Sequence, residues 1–90
     1  MAWRIEIDKD VQRSMAKLDK QISKRITTKL REIAQLDDPR SAGKALTGNL
    51  AGLWRYRVGD WRILCYIEHA VLVVVVVDVA HRREAYRRKN

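Results

Sequence analysis

The stretch that most constrains the fold is the run Val71–Val79, written VLVVVVVDV, which is almost continuously apolar. Branching at Cβ stiffens valine and favours an extended chain, so the run reads as a strand. A strand apolar on both faces belongs in the middle of a sheet, covered on both sides. It is far shorter than the roughly 20 residues a membrane helix needs.

Ahead of it lies the hairpin LWRYRVGDWRILCYI, from Leu53 to Ile67. Successive strand side chains point to opposite sides. Trp54, Tyr56 and Val58 therefore share one face, and Arg55 and Arg57 the other. Gly59-Asp60 is a favoured pair for a two-residue turn. The return strand repeats the pattern, with Trp61, Ile63, Cys65 and Ile67 on one side and Arg62 and Tyr66 on the other. Three arginines share the open side of a ribbon whose other side is apolar, which makes a rigid platform for an anion. Leu64 falls on the arginine side, where it needs a cover from the C-terminal tail or a partner.

Before the hairpin, Trp3, Ile5 and Ile7 alternate with Arg4 and Glu6, a short first strand. Asp8 is an N-cap residue, and Val11, Met15 and Leu18 recur at helical spacing, predicting a first helix of about three turns. Asp19 caps a second helix or marks the corner between the two. Ile22, Ile26, Leu30 and Ile33 then form an amphipathic stripe. Lys20, Lys24, Arg25, Lys29 and Arg31 make its opposite face basic, a solvated surface first and a contact for RNA phosphates or an acidic partner second. The helix ends by Pro39, whose predecessor is pushed away from helical angles. Arg40 to Gly52 reads as a long loop with a helical turn at Ala45-Leu46, and Lys44 is its one charge well placed to reach a ligand. The chain closes on AHRREAYRRKN, in which His81, Arg82, Arg83, Arg87, Arg88 and Lys89 surround Tyr86. A terminal segment like this often frays, yet arginines around an aromatic suit stacked bases and phosphates.

The expected fold is α+β in the order β-α-α-β-β-β. A small, mostly antiparallel four-stranded sheet carries two helices on one face and a short basic C-terminal segment, all in a single domain over residues 1–90. The net charge of +8 and a pI near 10.2 suit a polyanionic partner. Cys65, the one cysteine, offers no disulfide framework, which fits the cytoplasm. Its spacing makes it a core residue rather than a nucleophile. The N-terminus MAWRIEID has no apolar signal region. Two histidines, one cysteine and scattered carboxylates give no recognisable metal-ligand spacing, so no cofactor is expected.

The β-α-α-β-β-β order, the segment KALTGNLAGLWRYRVGDWRILCYI and the ending HRREAY resemble the RelE toxins of bacterial and archaeal toxin–antitoxin pairs, nearly end to end. The most specific part is WRYRVGDWRI followed, after the valine strand, by HRRxxY. The resemblance implies a metal-independent endoribonuclease, an mRNA interferase that cleaves mRNA in the ribosomal A site and inhibits translation. The ribose 2′-hydroxyl attacks the adjacent phosphate, leaving a cyclic phosphate and a 5′-hydroxyl. Carried over by position, the catalytic set is Arg55, Arg57, Arg62, Arg82 and Tyr86, the last stacking on a base. Lys44, His81, Arg83, Arg87 and Arg88 are the expected RNA-binding residues. The related ParE toxins share the fold and act on DNA gyrase, which is the alternative reading.

One departure matters. The best-known relative carries lysines at the paired positions of Arg55 and Arg57, and arginine is a poor base at neutral pH. The expected chemistry shifts toward cations stabilising a dianionic phosphorane. Removal of the 2′-proton is left to Tyr86, His81, a ribosomal group or water. Asp78 is expected to orient an arginine. Expected partners are a cognate antitoxin protein, with a heterotetramer as one form of the complex, and mRNA with ribosomal RNA. No membrane association is expected.

Overall fold

In the computed structural model, which describes residues 2–84, the valine run becomes strand β5 (Val73–His81). It takes an interior place in the sheet, between β1 (Arg4–Ile7) and β4 (Trp61–Glu68). Beyond β4 lie β3 (Leu53–Val58) and the two-residue edge strand β2 (Lys44–Ala45). Helices α1 (Lys9–Ala16) and α2 (Lys20–Ala34) connect β1 to the rest. The predicted order holds, and the sheet is mostly antiparallel, with β1 alone running parallel to its neighbour β5.

The sheet has five strands rather than four. The extra strand is β2, which falls inside the stretch expected to be a loop. Instead of a helical turn at Ala45-Leu46, 3-10 turns at Pro39–Ala42 and Gly48–Leu50 flank it. The reason is pairing. Lys44 and Ala45 lie opposite Arg55 and Trp54, and Leu46 N–H donates to the Leu53 carbonyl at 3.0 Å, so the edge of β3 is capped.

Both helices start where expected. Asp8 accepts from the Asp10 N–H at 3.1 Å and Asp19 from the Gln21 N–H at 2.8 Å, each satisfying a donor that the first turn leaves open. Helix α1 is shorter than three turns, and α2 ends at Ala34, ahead of the proline. Asp38 then starts the 3-10 turn, accepting from Arg40 N–H at 3.0 Å. The Arg40 guanidinium, 2.9 Å away, holds the Asp38 carboxyl below its ordinary value.

One face of the sheet packs on the helices. Val11, Met15, Ile26, Leu30 and Ile33 meet Tyr56, Val58, Ile63, Cys65, Ile67, Val74, Val76 and Val79. Cys65 is fully buried, as its spacing predicted.

Strand β5 departs from the expected run at both ends. Val71 is exposed in the 3-10 turn His69–Val71, and Leu72 then takes a left-handed φ of 55°. That conformation costs about 1–2 kcal/mol, offset in part because Leu72 packs on the core. Midway, the register slips. Leu64 faces Asp78 but Cys65 faces Val76, which leaves Val77 as the extra residue of a bulge. The bulge switches the phase of the strand. Val74 and Val76 point to the helices before it, Val79 and His81 after it, and Asp78 and Ala80 are delivered to the open face.

Candidate active site

The open face is laid out by register. Lys44 lies opposite Arg55, Arg55 opposite Leu64, and Leu64 opposite Asp78. One step nearer the turn, Arg57 lies opposite Arg62 and Arg62 opposite Ala80. Opposite residues in such pairs have Cβ atoms about 4.5–5.5 Å apart, so Lys44 with Arg55, and Arg57 with Arg62, form two adjoining rows of cations. Lys44 and Arg57 are exposed, and Arg55 and Arg62 are half-buried. Leu64 beneath them is fully buried despite lying on this side.

The Gly59-Asp60 turn gathers further cations. Arg62 Nη1 donates to the Gly59 carbonyl at 3.0 Å and to the Trp61 carbonyl at 3.1 Å. The Arg82 backbone N–H donates to the Asp60 carbonyl at 2.7 Å, and its guanidinium stands 3.8 Å from the Asp60 carboxylate. From the helix side, the Arg25 guanidinium packs over the same turn, 3.1 Å from where a Cβ on Gly59 would lie. Sequence reading placed Arg25 only on a basic helix face and gave Asp60 no role beyond the turn. The residue next to Arg25 is the buried Ile26, a sign that Arg25 borders the packed stripe.

A cleft of about 430 Å³ opens between α2 and the end of β3, lined by Lys24, Arg25, Lys29 and Glu32 with Arg57 and Gly59. It lies on the helix side of the turn and adjoins the arginine rows, with Arg57 belonging to both.

The loop before the hairpin is fixed from below. Tyr56 is fully buried and its hydroxyl donates to the Pro39 carbonyl at 2.7 Å. Gly43 rests on the same ring, where a Cβ would approach Tyr56 Cε1 to 2.9 Å and the Arg55 carbonyl to 3.2 Å. This clamp sets Lys44 in register with Arg55.

The structure thus brings Lys44, Arg55, Arg57 and Arg62 together on one face and anchors Arg82 at its margin. It does not bring His81 there. His81 pairs with Trp61 on the helix-covered side, and the two rings meet edge to face at 5.7 Å. Arg83 is exposed in the turn after β5, its N–H directed to His81 Nδ1 at 3.4 Å. Tyr86, Arg87 and Arg88 lie outside the described residues. Among the described residues no three His, Cys, Asp or Glu side chains converge as metal ligands, and no helix is long and apolar enough to cross a membrane.

Residues 5–86 match the family model described as ParE toxin of type II toxin-antitoxin system, parDE. Toxin RelG of Mycobacterium tuberculosis is 39% identical over 51 residues, a match spanning 57% of this chain and only 59% of that relative's length. Among solved structures, the toxin–antitoxin complex RelBE2 from Mycobacterium tuberculosis is similar with a TM-score of 0.82 at 25% identity, covering 91% of this chain and 93% of that one. The archaeal RelE–RelB complex from Pyrococcus horikoshii gives 0.73 at 25% identity, covering 94% of this chain and 100% of that one.

Proposed function

Because the chain belongs to the ParE toxin family of type II toxin–antitoxin systems, within the RelE/ParE superfamily, we propose that it is the toxin component acting as a ribosome-dependent endoribonuclease, an mRNA interferase. The observation that carries this reading is the pair of cation rows, Lys44 with Arg55 and Arg57 with Arg62, with Arg82 fixed beside them by Asp60. A phosphodiester seated there meets several positive charges whose positions are set by a sheet and a tight turn. A phosphorane gains a second negative charge as the 2′-oxygen attacks, and preorganised cations stabilise that state more than the ground state. Arg55, Arg57, Arg62 and Arg82 take this role, needing no metal, and leave a cyclic phosphate and a 5′-hydroxyl. Tyr86 stacks on a base, while Lys44, Arg83, Arg87 and Arg88 hold the RNA. His81, on the covered side, is not among the reacting groups. The matched span, residues 5–86, supports a single toxin domain, and the lone cysteine fits a cytoplasmic protein.

One of the two structural neighbours is a toxin–antitoxin complex and the other a complex of RelE with RelB. The partner expected here is an antitoxin that covers Arg55, Arg57 and Arg62 or displaces the segment bearing Tyr86. Primer extension on a cellular message after brief induction tests the activity. Cuts in the reading frame are expected with the wild type and not with folded Arg62→Ala or Arg82→Ala. A message left whole while translating ribosomes are present would refute the reading. A second reading starts from the matching family model, which is that of a ParE toxin: the resemblance to ParE toxins implies a gyrase inhibitor with the same fold that cuts no RNA. DNA damage on induction with every message intact would select it.

A further inference from the structure

We propose that Lys44 is the general acid of the cleavage, giving a proton from its ammonium group to the departing 5′-oxygen. This rests on the ribonuclease reading and assigns a step that the arginines leave open.

The chemistry sets the need. As the 2′-oxygen bonds to phosphorus, the bond from phosphorus to the 5′-oxygen breaks and its electron pair stays on that oxygen. An alkoxide is a poor leaving group unless a proton reaches it as the bond breaks. Guanidinium holds its protons too tightly to act as a donor of this kind, whereas a lysine ammonium is a stronger acid with three donors. In the balanced step the 2′-hydroxyl proton passes to solvent water, and the Lys44 proton forms the new 5′-hydroxyl. The neutral Lys44 amine then regains a proton from water.

The geometry selects Lys44. The cations at the register positions of β3 and β4 are Arg55, Arg57 and Arg62, and Arg82 follows β5. Arg4, the cation on β1, is held by Glu6 at 3.0 Å. Lys44 is the lysine in these rows, directly opposite Arg55 at the sheet margin. It is exposed, and it makes no ion pair or side-chain hydrogen bond with the described residues, so its protons are available. Its backbone is nonetheless fixed, because the Tyr56 hydroxyl holds Pro39 and the Tyr56 ring seats Gly43. A phosphate resting on the arginines has Lys44 at one margin and Arg82 at the other. An in-line displacement uses such an arrangement, with attacking and leaving oxygens on opposite sides of phosphorus.

The test compares an ordinary message with one carrying sulfur in place of the 5′-bridging oxygen at the cut site. Both are bound in programmed ribosomes and cleaved in a single turnover. A thiolate departs without a proton, so it removes the need for an acid. Lys44→Arg keeps the charge. We expect it to slow cleavage of the oxygen message about 100-fold or more and to cut the sulfur message within a few-fold of the wild type, with an unchanged melting temperature. Lys44→Arg matching the wild type on the oxygen message would reduce Lys44 to a fixed charge and overturn the proposal. A deficit of equal size on both messages would overturn it too, by making Lys44 a positioning group. If the wild type cuts neither message, the ribonuclease reading itself has failed.

Discussion

Cys65 and Tyr56 are diagonal neighbours on the covered face of β4 and β3, and both bury a group that water would let ionise. Desolvation pushes the Cys65 thiol up to about 12, and it raises the Tyr56 phenol well above its ordinary value. Each neutral form is therefore favoured by folding. The associated stability is complete below the unfolded-state value, near 9 for the thiol and 10 for the phenol. It is lost as pH rises from there toward the folded value. Urea denaturation at successive pH values should show wild-type stability starting to fall near pH 9. Cys65→Ala removes the earlier of the two titrations, so its fall should start about one pH unit later. An identical onset in both proteins would mean that the thiol is hydrated. The same burial keeps the thiolate from forming near neutrality, which is the physical ground for reading Cys65 as core and not as nucleophile.

At the scale of elements, the hairpin depends on Gly59 for two separate reasons. Its φ is +58°, where a side chain is strained, and the Arg25 guanidinium fills the space a Cβ would need. Gly59→Ala should cost about 1–2 kcal/mol from the backbone alone, with a further part recovered in Arg25→Ala/Gly59→Ala, as a double-mutant cycle in urea would report. Simple additivity would show that Arg25 moves aside freely. The hairpin was legible in the sequence because its alternation and its Gly-Asp turn are local signals. The two-residue β2 was not, since two residues carry no period, and its existence depends on pairing with β3. The bulge at Val77 was equally hidden, because a slip of phase leaves no trace in a run of valines. It shows only in what it does with Asp78, which would otherwise face the helices unpaired with water at a cost of several kcal/mol. The candidate site is legible in the same uneven way. Arg55, Arg57 and Arg62 follow from alternation within one hairpin, whereas the placing of Lys44 depends on the contact of Tyr56 with Pro39. His81 lies on the helix-covered side because its strand changes phase before reaching it, and a valine run gives no local signal of that change.

Over the whole molecule the net charge is +8, and among the described residues two cationic surfaces meet at the Gly59-Asp60 turn and share Arg57. One is the open face with Lys44, Arg55, Arg57 and Arg62, and the other is the α2 cleft with Lys24, Arg25 and Lys29. Total charge cannot distinguish which surface a polyanion uses, but the salt dependence of binding can, because each phosphate neutralised releases counterion. For a single strand the logarithm of affinity falls with the logarithm of salt with a slope of about −0.7 per contact. Lys44 and Arg62 lie on the open face and do not line the cleft, so Lys44→Ala/Arg62→Ala should make the slope for a short RNA shallower by about 1.4. Lys24 is exposed on a helix flank whose charges serve solvation first. Lys24→Ala/Lys29→Ala should therefore leave the slope unchanged, although it removes as much formal charge. Fluorescence anisotropy across a salt series decides the matter. Equal changes in the two double variants would mean that the strand passes round the turn and occupies both surfaces. A change in neither would mean that free RNA is held by the basic residues beyond Glu84, with the sheet arginines waiting for the ribosome to deliver the phosphate.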